Sequence, residues 1–265
     1  PCTDSPLFTL ETVVATPHLG ASTDEAQEKA GISVARSVRL ALAGELVPDA
    51  VNVQGGNLHE DIKPLVPLAE KLGAIACALA DAAIVRVEVE VRGAVVEHDL
   101  RVLELSTTKG VFQTLVHDPV SFVNAPVLAE QRGVDISLKT NPISDDHKNL
   151  LMVSITQTDG VSVSISGTVA GSAHQAKVVE LNGFDIDVPV STHMAFFRYH
   201  DRPGVVGQVG NLLGGSGINI AGMQVSRDHE GHALMVLTVD SPITHELVDH
   251  IIADIGAHTG KAVTL

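Results

Sequence analysis

The chain has 265 residues, 45% of them hydrophobic and 18% charged, a composition that supports buried cores, excludes wholesale disorder and fits two or three domains. Its 17 basic and 32 acidic residues give a net charge of −15, and without a clustered basic face no nucleic-acid partner is expected. The longest apolar stretch near the middle, residues 74–80, is broken by Asp81; it is far shorter than the roughly 18 residues of a membrane helix, so no membrane span is expected.

The beginning of the chain and its two cysteines carry further information. The chain opens at Pro1 with no initiator Met and no signal segment, which predicts a piece of a longer protein. Cys2 and Cys77 lie far apart, so neither a disulfide framework nor a zinc knuckle is expected, and a reducing cytoplasm is the simplest compartment. Cys77 lies in an apolar helical segment and is expected to be a buried small hydrophobe.

The first 56 residues are predicted to form an α/β unit. Residues 12–16 are short, apolar and β-branched, as in a buried strand. A loop containing His18 follows, and Ser22 and Glu25 form a capping box that starts a helix ending near Gly44. Ligands of open α/β sheets bind in loops at the carboxyl ends of such strands.

Residues 57–191 are predicted to form one α+β domain, reached through a flexible joint at 54–57. The strongest pattern is the alternation of valine with charged residues over 85–91, typical of a half-buried strand. The other predicted elements are helices over 62–79 and 100–115 and strands near Ser137 and over 151–158 and 161–169, the last two joined by an Asp159-Gly160 turn.

Residues 192–265 show the strand and helix order βαββαβ of a ferredoxin-like domain. The predicted strands are 194–199, 218–226, 233–240 and 261–265, and the predicted helices are 203–213 and 245–255. One face of this small sheet is expected to be left for a partner.

His18 is the first candidate catalytic residue. A loop histidine after a strand can act as a general acid and base, because imidazole exchanges protons near neutral pH. The alternative from the local pattern is a histidine that hydrogen-bonds the backbone.

A second constellation comprises Tyr199, Asp201, Pro203 and Asn219. Pro203 suits the first position of a helix, whose free amides would bind a carboxylate, while Asp201 and Asn219 would bind an ammonium group and orient the ligand. These features fit a zwitterionic amino acid. The alternative is an ordinary helix start with a turn asparagine.

No metal site and no nucleotide-binding fingerprint are predicted. His229 and His232 bracket a turn, and His245 and His250 are five apart, not the four that places two ligands on one helix face. The only glycine pair two apart is at 215 and 217, without the third glycine of G-x-G-x-x-G.

The sequence resembles the D-3-phosphoglycerate dehydrogenase family along essentially its whole length. The matching segments are residues 16–23, 37–45, 48–52, 122–126, 201–204 and 217–220. They are similar to the long, actinobacterial form, in which the end of the catalytic region is followed by an intervening domain and an ACT domain. The resemblance implies an α+β multidomain chain divided at 1–56, 57–191 and 192–265.

The resemblance also implies an activity. The family oxidises 3-phospho-D-glycerate with NAD in L-serine biosynthesis, with His18 as the catalytic residue. The segment of His18, Leu19, Gly20 and Ala21 would contact NAD. L-Serine, the feedback inhibitor, would bind Tyr199, Asp201 and Asn219 in the ACT domain, while Lys177 would contact a phosphate ligand in the intervening domain, although Phe184 and Pro189 replace basic residues nearby.

By itself the chain is expected to be inactive and regulatory, because it lacks the nucleotide fingerprint. The resemblance also implies a homo-oligomer, a dimer or tetramer, because edge strands of ACT domains pair between subunits in the family. One alternative is a stand-alone amino-acid sensor, although such a sensor has no need of the His18 loop. A second alternative is a subunit of an iron–sulfur serine dehydratase, which requires three or four clustered thiolates that two distant cysteines do not supply.

Overall fold

The computed structural model describes residues 2, 4–47, 50 and 58–265. The predicted joint at 54–57 and most of the family-like segment at 48–52 lie outside these residues. Within the described part of the chain, no helix has both the length and the apolar character needed to cross a membrane.

The first segment contains a short 3-10 helix, Pro6–Thr9, and helix α1, Asp24–Leu42. The N-cap of α1 is Thr23, whose hydroxyl accepts a hydrogen bond from the amide of Ala26 at 3.2 Å, so the predicted cap at Ser22 is off by one residue. The predicted strand at 12–16 is wrong: this stretch has no strand structure and is exposed, and the described residues offer it no neighbouring strand. A buried strand forms only when a sheet supplies its hydrogen bonds.

A six-stranded sheet with the order β2-β1-β3-β4-β5-β6 forms the first folded body. Its strands are β1 (Ile84–Gly93), β2 (Asp135–Asn141), β3 (Asn149–Gln157), β4 (Ser162–Ala170), β5 (Gln175–Leu181) and β6 (Phe184–Pro189). β1 and β2 are parallel and all other pairs are antiparallel. The alternation predicted for 85–91 is confirmed at Val87, Val89 and Val91, which are buried, but not at Val85, which is 38% exposed beside a register irregularity. The Asp159-Gly160 turn joins β3 to β4, with φ of +83° at Gly160.

Three helices accompany this sheet: α2 (Leu65–Leu79), α3 (Arg101–Leu115) and α4 (Ala125–Gln131). Helices α2 and α3 touch through glycines. A Cβ added to Gly73 would lie 2.4 Å from the carbonyl oxygen of Thr107, and one added to Gly110 would lie 1.9 Å from that of Glu70. Only glycine allows backbones to approach this closely.

A four-stranded antiparallel sheet with the order β10-β7-β9-β8 forms the second body. Its elements are β7 (His193–His200), α5 (Val205–Gly215), β8 (Ile220–Arg227), β9 (His232–Val239), α6 (His245–Ile255) and β10 (Ala257–Thr264). Both helices pack on one face, against a core that includes Phe197, Tyr199 and Leu237. The ferredoxin-like βαββαβ order predicted from the sequence is confirmed.

The other face of the small sheet is covered by the first body. Met194, Phe196, Leu234, Val236 and Val263 are 5% exposed or less and belong to the same apolar cluster as the residues of α2 and β1. Two polar contacts cross the boundary: Lys261 Nζ lies 2.6 Å from Asp81 Oδ1, and the amide of Asp187 donates to Gln224 Oε1 at 2.7 Å. The expectation of a free sheet face is therefore wrong, since this face packs within the chain.

Candidate functional site

His18 lies in an exposed loop that leads into α1. A turn follows it directly, closed by the hydrogen bond from the amide of Ser22 to the carbonyl oxygen of Leu19 at 3.0 Å. Gly20 lies in this turn, and a Cβ added there would meet nothing within 4 Å. The imidazole is therefore open to a ligand approaching from outside the described chain.

Helix α1 presents uncovered apolar side chains beside this loop. None of its residues is buried, and Ile32, Val38 and Leu42 are 46%, 51% and 85% exposed. An apolar helix face of this kind normally packs against another element. The His18 loop thus stands next to a surface suited to a protein partner.

Tyr199 and Asp201 lie at the end of β7. The Tyr199 side chain is 1% exposed and faces the helices; burial, followed by the charge of Asp201, raises the pKa of its phenol, while Arg227 acts in the opposite direction. Asp201 accepts a hydrogen bond from Arg227 Nε at 2.5 Å. The carboxylate predicted to hold an ammonium group is therefore already paired with a guanidinium.

Helix α5 begins two residues later than the sequence predicted. Gly204 is its N-cap, with φ of +94°, and Val205 is the first helical residue. Pro203 is thus outside the helix, and the prediction that it occupies the first helical position is wrong. Among the described residues, no side chain caps this terminus, so the first-turn amides next to the Asp201 loop are available to an anion.

Asn219 lies at the opposite end of the sheet from Asp201. It precedes β8, whose Ile220 pairs with Val239, whereas Arg227, the partner of Asp201, pairs with Ala233 at the other end. At about 3.3 Å per residue, the eight steps from 219 to 227 span about 26 Å. Asp201 and Asn219 of the same chain therefore do not lie against one ligand, because the strand register separates them.

Lys177 is on β5 and is bound by a carboxylate. Its Nζ lies 2.8 and 3.1 Å from the two oxygens of Asp187 on the neighbouring strand. The expected phosphate contact would have to compete with this ion pair.

Cys77 is 5% exposed in α2, as expected for a small hydrophobe, and burial raises the pKa of its thiol to about 12. Cys2 is exposed. A buried, protonated thiol is a poor metal ligand, which weakens the iron–sulfur alternative further.

Three histidines that the sequence analysis did not connect lie together at one end of the small sheet. One ring nitrogen from each of His200, His232 and His258 lies within 4.8 Å of the other two. Desolvation of the ring, followed by electrostatic repulsion from His200, His232 and Arg198, lowers the pKa of His258. His258 also lines a cleft of about 530 Å³ between the two bodies.

Comparisons with known proteins match each of the two folded bodies to a domain family. Residues 61–182 match the family described as the D-3-phosphoglycerate dehydrogenase intervening domain, and residues 193–256 match the ACT domain. The chain therefore combines an intervening domain of the D-3-phosphoglycerate dehydrogenase type with an ACT domain. The intervening-domain match runs from the approach to α2 into the turn after β5, and the ACT match runs from β7 to the end of α6.

Relatives named D-3-phosphoglycerate dehydrogenase align along the whole chain. Those from Mycobacterium leprae and Mycobacterium tuberculosis (strain H37Rv) are each 44% identical over 266 residues, covering 100% of this chain and 50% of the relative. The protein from Synechocystis is 32% identical over 269 residues, covering 100% of this chain and 48% of the relative. The chain thus spans about half the length of the curated relatives it matches.

Proposed function

We propose that this chain is the regulatory half of an NAD-dependent dehydrogenase that oxidises 3-phospho-D-glycerate to 3-phosphohydroxypyruvate and is inhibited by L-serine. The observation that carries the proposal is the 44% identity, along the whole chain, to dehydrogenases of that name, together with the paired intervening and ACT domains. The chain alone is inactive in this proposal, since its sequence has no G-x-G-x-x-G fingerprint.

His18 is the proton acceptor of the proposed reaction. The imidazole would take the proton of the substrate's C2 hydroxyl as that C–O bond becomes a carbonyl. NAD supplies the hydride acceptor when bound, and Leu19, Gly20 and Ala21 would border it. Their exposed turn, with open space at Gly20, fits the close approach of a ligand. The apolar face of α1 would pack against the nucleotide-binding part of the enzyme.

The amino-acid effector binds between two copies of the chain in our proposal. β8 is at the edge of its sheet, with β9 as its only hydrogen-bonded neighbour among the described strands. If β8 pairs with β8 of a second copy in antiparallel orientation about its centre, residue 220 of one chain lies opposite residue 227 of the other. Asn219 of one copy then lies beside Asp201 and Arg227 of the other.

L-Serine has the groups that such a composite site requires. Its carboxylate suits the uncapped amides of α5 and the Arg227 guanidinium, and its ammonium suits Asp201. Asn219 of the second copy supplies a neutral donor and acceptor for the remaining polar groups. Each half of the site is incomplete without the other, which links effector binding to association of the subunits.

Calorimetric titration of L-serine into the chain tests the regulatory part of the proposal. We expect saturable heat, weakened about tenfold or more by Asn219→Ala, because one hydrogen bond to the ligand is lost. The control is Asn211→Ala, an exposed asparagine on α5, which should leave the affinity unchanged. The absence of serine heats with the unaltered chain would contradict the effector assignment.

A further inference from the structure

The histidine cluster of His200, His232 and His258 is built from three adjacent strands. His200 ends β7, and His232, the first residue of β9, is paired directly with it. His258 lies on β10 at a bulge, where Ala257 pairs with Tyr199 and Thr259 pairs with Arg198. A bulge inserts one residue and redirects its side chain, and here it brings the third ring to the other two.

The ring positions are close to those of a metal site. His200 and His232 are stacked with centroids 4.9 Å apart, and His258 lies edge-on to both at 4.5 and 5.6 Å. In a tetrahedral site with Zn–N bonds of about 2.0–2.1 Å, the ligand nitrogens lie about 3.3 Å apart. His200 and His258 are exposed, so the rotations that would close the remaining gap meet little opposition from core packing.

Asp228 fixes the ring of His232. Its Oδ2 lies 3.0 Å from His232 Nδ1, and its Oδ1 accepts hydrogen bonds from the amides of Glu230 and His232 at 2.9 and 2.8 Å. When Nδ1 donates to the carboxylate, the lone pair of the neutral ring is on Nε2. A carboxylate behind a ligating histidine is the usual support of a zinc site, since it orients the ring and raises its basicity.

We propose that His200, His232 and His258 bind one Zn²⁺ ion, with Asp228 orienting His232 and a water completing the coordination. Three imidazoles favour zinc over Mg²⁺ and Ca²⁺, which take oxygen ligands. Arg198 on the same face opposes a cation, whereas Asp228 and Glu230, whose carboxylates lie 3.0 and 3.9 Å from His232 Nδ1, favour it. Tyr199 faces the helices, so the zinc site and the proposed amino-acid site are on different faces.

Zinc titration of the untagged chain, stripped of metal with a chelator, tests the site. We expect one Zn²⁺ per chain by calorimetry and tetrahedral Co²⁺ absorption bands when cobalt replaces zinc. Asp228→Asn should weaken zinc binding about 10–100-fold, and His258→Ala should weaken it further because a ligand is lost. Circular dichroism without metal checks that the variants fold, and His258→Gln replaces the alanine variant if it does not.

Two control variants separate this site from nonspecific histidine binding. His250→Ala changes an exposed histidine on α6 and should not alter the affinity. His98→Ala disrupts a second cluster, formed with His59 and Asp61, in which Lys148 lies 3.3 Å from the Asp61 carboxylate. The proposal is overturned if zinc does not bind, if His258→Ala binds zinc as the unaltered chain does, or if His98→Ala removes the tight site.

Discussion

His18 is a residue whose surroundings are supplied by other parts of a protein. In this chain it is exposed, in the loop that leads into a helix with no buried residue. A general base needs a substrate within hydrogen-bonding distance and a site that excludes water. The described residues around His18 provide neither, which agrees with the proposal that catalysis requires the remainder of a dehydrogenase.

Replacing His18 tests its role in the full-length dehydrogenase that we propose. We expect His18→Ala to lower turnover by about 100-fold or more, because the transition state loses its proton acceptor, while serine binding to the ACT domain persists. The control is His229→Ala, an exposed histidine in the turn between β8 and β9. Steady-state kinetics with near-normal turnover in His18→Ala would remove this residue from the mechanism.

Helices α2 and α3 are joined by a partly buried ion pair that was not predicted from the sequence. Lys109 Nζ lies 2.9 and 3.0 Å from the Glu70 carboxylate, and the Lys109 side chain is 8% exposed. The ammonium also lies 4.7 Å from the centre of the Phe122 ring. The sequence gives no local signal for this contact, since the two residues are 39 positions apart.

Breaking this pair should destabilise the intervening domain. Glu70→Gln keeps the side-chain volume but leaves the Lys109 charge buried without its partner, which we expect to lower the free energy of unfolding by about 3 kcal/mol. The matched control is Glu25→Gln, which breaks the exposed pair between Glu25 and Lys29 on α1 and should have no measurable effect. Chemical denaturation compares the two; equal effects would contradict a stabilising role for the buried pair.

Strand prediction succeeded for β1 and failed for the hairpin of β5 and β6, although both have a local sequence pattern. The alternating valines of β1 were sufficient, because one buried face imposes a period of two. The hairpin of β5 and β6 was missed although Phe184, Ile186 and Val188 alternate with polar residues after an Asn182-Gly183 turn with φ of +49° and +81°. That pair is among the strongest hairpin signals in a sequence, so this failure was avoidable.

At the scale of the whole molecule, a subunit-mixing experiment tests whether Asp201 and Asn219 of different chains form one serine site. Asp201→Ala and Asn219→Ala chains each lack one half of every composite site. Random reassembly of equal amounts should restore about a quarter of the serine sites, since half of the symmetric dimers are mixed and each mixed dimer has one intact site.

Calorimetry of the mixture, compared with each variant alone, measures this recovery, and light scattering checks that the chains are dimers or larger. If all the ligand contacts came from one chain, mixing would restore no binding. A monomer that binds serine would also contradict the composite site.

Short-range chemistry was sufficient to predict most helices and strands, the ferredoxin-like order and the burial of Cys77. The relationship to the dehydrogenase family came instead from the resemblance of six sequence segments to that family. Caps, turns and periodicity act over a few residues and can be read along the chain. Three features were not predictable in this way. They are the packing of the first body on the small sheet, the separation of Asp201 from Asn219, and the proximity of His200, His232 and His258. They depend on strand order, register and a single bulge, which bring together or separate residues that are tens of positions apart and are set only when the sheets pack.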